Sequence, residues 1–589
     1  MNILLTSLNS KYIHTNLALR YLYETAKDFQ DKIQIKEFTI NHEEDYIFSE
    51  IVREQYDIIC LSCYIWNITK ILYLTSNIKK VNKDVIIILG GQEVSFDSEH
   101  IIEENPQIDY IIRGEGEKTF IELMHFLTEG EGKIEAIKGI TYQIEREIIS
   151  NEERELIQDL DEVSFPYGHY FPYENRIIYY ETSRGCPHHC SYCMSSVIRG
   201  VRYFSLERVK KDLNFFIKNH VQQVKFVDRT FNANQKRCMA IMQYICENDN
   251  GKTNFHFEMN GDQIDEAMLS FLKTVRKGLF QFEIGVQTTN PKTIEAINRK
   301  TDFEKIKYNV KKLNQYGNIH LHLDLIAGLP YEDYNRFLKS FNDVYDTQPH
   351  NLQLGFLKLL KGAKIREEAD QHGYIFRAQE PYEILSNQYL SHHDLIRLKR
   401  IEDMLDKFYN RSGFQTTLKY IVTNYYEQPS DFYEDLAEYW HANGYQHEAH
   451  NKKALYELLK AFCIKKNASE ELLDELLLYD KMLISQQGQI PHGSADFTKS
   501  IHNILHHQEF RTNFMPSYEH LKVKEIKKKI SFQIFQYNVY QYAVNGDNLN
   551  RHKNLCIFDY NLKDIKEQAK VYCLNWELAE KYAYAQKQF

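Results

Sequence analysis

The segment Glu181-Thr182-Ser183-Arg184-Gly185-Cys186-Pro187-His188-His189-Cys190-Ser191-Tyr192-Cys193 decides how the rest of the chain is read. Its three cysteines, at CxxxCxxC spacing, directly follow an apolar run of strand length, Ile177–Thr182. A loop of this size wraps three thiolates around one inorganic centre. On a four-iron cluster three protein thiolates leave one iron open, whereas an electron-transfer cluster is held by four cysteines. Zinc sites favour two CxxC-like pairs on separate knuckles. A [4Fe-4S] cluster on Cys186, Cys190 and Cys193 is therefore expected, ahead of a Cys3His zinc site using His188 or His189, or three unligated thiols.

Downstream, strand-like runs alternate with helical patterns such as Leu206–Phe216. The runs are Gln223–Val227, Asn254–Met259, Phe280–Val286, His320–Ile326 and Leu352–Leu357. With Ile177–Thr182 they make six βα units, a (βα)6 partial TIM barrel whose chemistry belongs at the C-terminal strand ends. Upstream, Ile3–Thr6, Ile33–Ile40, Ile58–Leu61, Val85–Leu89 and Tyr110–Ile112 alternate with helical patterns over residues 1–125. Five such units imply an α/β, doubly wound, Rossmann-like domain that binds ligands across its carboxyl strand ends. The turns there are Ser62-Cys63-Tyr64-Ile65-Trp66-Asn67, Gly90-Gly91-Gln92-Glu93-Val94-Ser95 and Gly114-Glu115-Gly116-Glu117. A dinucleotide fingerprint does not fit, because Gly114 and Gly116 follow the fifth strand and Thr119 stands where a third glycine belongs. Taken singly, each glycine pair fits a tight turn as well as a ligand contact.

These patterns divide the chain into residues 1–135 (Rossmann-like), 136–172 (linker), 173–370 (barrel) and 371–589 (mostly helical). The linker holds a strand pair, Gly139–Ile144 and Ile148–Ser150, and then Pro166 and Pro172. Helices are expected at Glu383–Tyr389, Asp394–Lys407, Ala454–Phe462 and Glu470–Tyr479, and a Lys-rich strand at Val523–Tyr537. With 589 residues, 43% hydrophobic and 13% aromatic, the chain is globular and neither a disordered tail nor a disulfide-stapled miniprotein. Its longest apolar runs fall far short of the roughly 18–20 residues a membrane span needs. The N-terminus has no basic segment followed by a small-residue cleavage site, so a cytoplasmic protein is expected, with thiols or metal ligands rather than disulfides. A formal charge of −10 opposes a large nucleic-acid footprint and favours a small-molecule substrate.

The cysteine spacing, with an aromatic residue before the last cysteine and a position after the first barrel strand, resembles the radical S-adenosylmethionine (SAM) superfamily. Phe257-Glu258-Met259-Asn260, Gly285-Val286-Gln287, Asn298-Arg299-Lys300 and Asp324-Leu325-Ile326-Ala327-Gly328-Leu329-Pro330 follow in the expected order. They resemble the branch that includes the oxygen-independent coproporphyrinogen oxidases. The resemblance implies SAM contacts from Tyr192, Glu258, Gln287, Arg299 and Asp324. Where many relatives carry a glycine-rich turn for the methionine amino group, this chain has Val227-Asp228-Arg229-Thr230-Phe231, and Asp228 is the candidate replacement. The N-terminal domain resembles the cobalamin-binding domain of B12-dependent radical SAM proteins, with GGxxxS and GEGE turns. Pro381-Tyr382-Glu383 continues the layout of a subgroup with its own C-terminal domain.

From that resemblance, Ser62, Tyr64, Gly90, Gly91, Gln92 and Glu117 are expected to line a cobalamin crevice. The DxHxxG motif is missing: Asp97-Ser98-Glu99-His100 has the wrong spacing and His14 stands alone, so no histidine ligand to cobalt is expected from that motif. The implied activity is methylation of an unactivated carbon. The alternatives are a cobalamin-dependent cyclisation or rearrangement and a non-catalytic cobalamin or redox sensor. A flavodoxin or ferredoxin would serve as electron donor, and oligomeric state is left open. Cys60 and Cys63 read as buried small hydrophobes on opposite strand faces. Cys238 and Cys246 fall on one helix, while Cys463, Cys556 and Cys573 are widely separated in sequence. Lys522, Lys524, Lys527, Lys528 and Lys529 read as a solvated edge strand.

Overall fold

The computed structural model describes residues 1–145, 147–168, 175–486, 497–563 and 568–584. Pro172 of the expected linker lies outside them. The chain forms two compact units, the first made mainly of residues 1–319 and the second mainly of residues 396–589.

The first unit opens with β1 (Ile3–Asn9), α1 (Leu17–Thr25), β2 (Ile33–Thr39), α2 (Glu44–Val52), β3 (Ile58–Ser62), α3 (Ile68–Val81) and β4 (Ile86–Gly90). Next come α4 (Gln92–Ser95), α5 (Ser98–Glu104), β5 (Tyr110–Ile112), α6 (Gly116–Glu129), β6 (Ile140–Ile144) and β7 (Glu147–Ser150). The sheet order is β2-β1-β3-β4-β5-β6-β7, parallel through β5 and antiparallel beyond it. The strand pair expected in the linker thus extends the Rossmann-like sheet to seven strands. Every residue of β1 is buried, as in a parallel sheet covered on both faces. Leu4, Leu8, Ile59, Leu61, Ile87 and Leu89 pack into one core, and Ile3, Leu5, Ile58, Cys60 and Ile88 into the other. Cys63 belongs to the first core, so the two CxxC thiols do occupy opposite faces.

The barrel strands are β8 (Ile177–Tyr180), β11 (Gln223–Phe226), β12 (Asn254–Met259), β13 (Phe280–Gln287), β14 (His320–Ala327) and β15 (Asn351–Phe356), adjacent in that order. A two-stranded antiparallel ribbon, β9 (Ser183–Cys186) and β10 (Gly200–Tyr203), follows β8 and carries the first cysteine. Burial alternates along β13, the signature of a strand with two unlike faces. Its half-buried face is polar: Glu283 accepts from Lys225 at 2.9 Å and lies 3.1 Å from His256. Glu383–Tyr389 is not the expected helix. Ile384–Ser386 is a strand paired with Ile375–Phe376, and the Asn387 carboxamide accepts from the Tyr389 and Leu390 amides, closing a turn where a helix would have to run.

The second unit is helical over Gln415–Tyr425, Pro429–Ala442, Lys452–Lys465 and Glu470–Ile484. It also contains an antiparallel sheet of Ile530–Tyr537, Arg551–Lys563 and Ala569–Asn575. The expected strand Val523–Tyr537 begins only at Ile530, because Val523–Ile526 is a helical turn capped by Glu525 on the Lys522 amide. The lysines therefore precede the edge strand rather than decorate it. Cys556 and Cys573, distant in sequence, face each other across the sheet with sulfurs 3.2 Å apart. Among the described residues no helix is long and apolar enough to cross a membrane.

Candidate active site

The cysteine loop is held at both ends by the barrel. At its start, the buried Asp228 at the end of β11 accepts hydrogen bonds from the Thr182 amide (2.8 Å), the Thr182 hydroxyl (2.6 Å) and the Ser183 hydroxyl (2.6 Å). Burial pushes the Asp228 carboxyl up, and the bonds from Ser183 and Thr182 oppose that shift. Asp228 thus ties down the start of the cysteine loop through one amide and two hydroxyls, a positioning part that stands beside the SAM contact expected of it. Further along, the Ser191 amide donates to the Ile297 carbonyl, the Ile365 amide to the Ser191 carbonyl and the Asn298 carboxamide to the His189 carbonyl, each at 2.9 Å.

Arg299 reaches the same loop. Its guanidinium lies 3.8 Å from the Cys190 sulfur, donates to the Tyr192 hydroxyl at 3.2 Å and to the Gly285 carbonyl at 2.5 Å, and keeps a buried Nε without a partner. Cys186 and Cys190 are buried and Cys193 partly so, with Thr230 Oγ1 3.7 Å from the Cys186 sulfur. The three-thiol donor set and the facing guanidinium fit a cluster.

Gln287 and Glu258 shape the adjoining pocket. Gln287 has φ 71°, and its side chain folds back over Gly285, leaving a buried Oε1 with no partner. Glu258, on β12, has no hydrogen-bond partner among the described residues. Burial pushes its carboxyl up to about 7, partly offset by Arg229, with Glu283 and Asp324 adding repulsion. Asp324 is thereby electrostatically coupled to Glu258. An orphaned amide oxygen and a carboxyl near neutrality suit a ligand bearing ammonium and hydroxyl donors, as SAM does.

In the N-terminal domain, Ser62, Tyr64, Gly90 and Gly91 do gather at the carboxyl ends of β3 and β4. The Cys63 amide donates to the Gly90 carbonyl at 2.7 Å. Gly91 has φ 117°, and a Cβ there would lie 2.3 Å from the Cys63 carbonyl oxygen, so the protein's own backbone, not a ligand, demands this glycine. Gln92 is exposed at the start of α4. Glu117 pairs with Arg184 of the barrel ribbon at 2.5 Å. Sequence reasoning passed over Trp66, whose ring stacks on Tyr64 with centroids 4.4 Å apart and planes 5° apart. Its signal was rarity, as one of three tryptophans in the chain. Trp66 is 44% exposed, and Tyr12, Ile13 and Phe96 on neighbouring loops are also exposed. Such apolar surface at a sheet's carboxyl edge fits a broad flat ligand such as a corrin. His14 lies on the same edge and bonds the Tyr179 hydroxyl at 2.6 Å.

The fold and the three-thiol loop define a radical SAM barrel following a Rossmann-like domain, and family models agree. The Radical SAM superfamily matches residues 180–344 and the B12 binding domain residues 3–124, implying a [4Fe-4S] cluster with SAM and cobalamin, respectively. A third model, the protein of unknown function DUF4080, matches residues 370–558, so the chain is a cobalamin-binding-domain radical SAM protein with a C-terminal DUF4080 domain. An uncharacterised methyltransferase of Pyrococcus horikoshii is 28% identical over 267 residues, 43% of this chain and 56% of that one. The cobalamin-dependent radical SAM methyltransferase TokK of Streptomyces tokunonensis is 25% identical over 54% of this chain and 49% of its own. The match therefore spans about half the length of these curated relatives. Among solved structures, the cobalamin-dependent SAM radical enzyme OxsB shares the fold with a TM-score of 0.56 and 16% identity, over 82% of this chain and 78% of that one. The methyltransferase TsrM of Kitasatospora setae does so at 0.53 and 16%, over 64% and 77%.

Proposed function

We propose that this protein is a cobalamin-dependent radical SAM enzyme that methylates an unactivated carbon of a small molecule. The observation that carries the reading is the three-thiol loop, braced by Asp228 and Arg299, in the same compact unit as an N-terminal sheet edge lined by Tyr64 and Trp66. When bound, the cluster would supply an electron for cleaving SAM and cobalamin would supply a methyl group. Cys186, Cys190 and Cys193 would hold the cluster. Arg299 would offset its negative charge or pair with the SAM carboxylate, while Gln287 and Glu258 would accept from ribose hydroxyls and the ammonium group. Asp324, beside Glu258, would add acceptor capacity. The Tyr64–Trp66 stack would cover one corrin face and exclude water.

Methyltransferases among the relatives support this reading. Anaerobic magnesium-protoporphyrin IX monomethyl ester cyclases are also similar, at 23% identity over 340 residues for that of Rubrivivax gelatinosus, and keep cyclisation as the second reading. A flavodoxin- or ferredoxin-type donor would deliver electrons. The test is anaerobic reconstitution, expected to give about four irons per chain, followed by turnover with extracts of a deletion strain as the source of substrate. S-adenosylhomocysteine together with 5′-deoxyadenosine and a methylated product supports methyl transfer. 5′-Deoxyadenosine with a rearranged product supports the second reading. Zinc in place of iron, lost on replacing the three cysteines by Ala, would sink both.

A further inference from the structure

The ribbon that carries Cys186 contains an electrostatic conflict that carboxylates of the N-terminal domain help to resolve. Arg184 on β9 and Arg202 on β10 are directly paired in register, and like charges in that relation repel. Both are largely buried, at 12% and 14% side-chain exposure. Glu115 meets Arg202 at 2.6 Å and Arg184 at 3.4 Å, and Glu117 meets Arg184 at 2.5 Å. Within the barrel, Arg184 is also paired with Glu181 at 2.8 Å. Burial opposes ionisation of Glu115, yet Arg202 and Arg184 hold its carboxyl below the usual range. The Gly-Glu-Gly-Glu turn, whose Glu117 the resemblance places in the cobalamin crevice, thus also holds the ribbon.

Arg184 sits between two fixed points. Ser183, on one side, is tied to Asp228. On the other, Gly185 (φ 100°) packs so tightly that a Cβ there would lie 2.1 Å from the Gly200 carbonyl oxygen. Cys186 follows at once. Cys186 is itself paired in register with Gly200 across the ribbon, so splaying the strands at Arg184 and Arg202 would part the first cluster cysteine from its cross-strand partner.

We propose that Glu115, Glu117, Arg184 and Arg202 are positioning residues: the N-terminal domain sets the conformation of the cysteine ribbon through them. This rests on the reading of Cys186 as a cluster ligand, but its test needs neither cluster nor turnover, so it stands or falls separately. The measurement is the rate of iodoacetamide alkylation of each cysteine, by peptide mass spectrometry, in the full chain purified without a cluster. Glu115→Arg should speed alkylation of Cys186 at least fivefold and leave the buried Cys60 and Cys238 unchanged. Adding Arg202→Glu, which restores opposite charges across the contact, should bring Cys186 back to within twofold of the parent. An unchanged Cys186 in the single variant, or no rescue in the double, overturns the proposal. If Cys60 and Cys238 also quicken, the single variant has loosened the whole unit, and the nearly isosteric Glu115→Gln decides: a selective rise at Cys186 supports the proposal and its absence overturns it.

Discussion

The Gln287 carboxamide occupies the space above the Gly285 α-carbon, where an added Cβ would meet its Nε2 at 2.2 Å. Because the obstructing atom is the free end of a flexible side chain, Gly285→Ala should displace Gln287 with under about 1 kcal/mol of destabilisation, and move the acceptor assigned to SAM. SAM affinity, measured by equilibrium dialysis on the reconstituted protein, should fall about tenfold, or about 1.4 kcal/mol, with iron content unchanged. Unchanged affinity would remove Gln287 from the site.

Asp228 behaves differently if it braces the loop. Asp228→Ala strands the Thr182 amide and two hydroxyls, and unmet buried donors destabilise by about 1–3 kcal/mol each before relaxation. Urea unfolding should show a loss of about 3 kcal/mol or more, with poor iron retention on reconstitution. Normal stability combined with weakened SAM binding would restore the sequence-based assignment instead.

Gly91→Leu is a poor probe of cobalamin binding, since the new side chain meets Cys63 backbone at a left-handed position. We expect it to lower stability by about 2 kcal/mol or more even in cobalamin-free protein. Trp66→Ala is the cleaner test: it gives up the Tyr64 stack and one hydrogen bond to the Leu8 carbonyl, so it should lower the melting temperature by only about 2–4 °C while hydroxocobalamin binding weakens at least tenfold. Equal binding by parent and variant would exclude the aromatic stack from the crevice.

Glu258 supplies a pH signature. Its folded-state carboxyl, raised from 4.5 to about 7, holds a proton more tightly than in the unfolded chain. That contribution to stability is fully present below about 4.5 and is lost as pH rises through about 7. In Glu258→Gln the urea midpoint should therefore fall less between pH 5 and pH 8 than in the parent. Parallel curves would show that the group titrates normally.

Sequence alone was enough for the alternating strands and helices of the first two domains and their order, and not for Glu383–Tyr389 or Val523–Ile526. Fully apolar runs such as Ile3–Leu5 and Ile86–Leu89 can be satisfied only in a parallel sheet covered on both faces, and the cysteine spacing needs no neighbour to be read. Local pattern also separated Cys60 from Cys63, because strand alternation is a property of the backbone itself. What tertiary structure decided was which partner each polar group found. Asp228, Glu117 and Gly91 stand at strand ends, where ligands bind, and their protein partners could not be read there. Folding gave Asp228 to Thr182 and Ser183, Glu117 to Arg184, and Gly91 to the Cys63 backbone. The approach of Cys556 to Cys573 was hidden for the same reason: strand register across a sheet depends on pairing between distant segments, and no local periodicity records it.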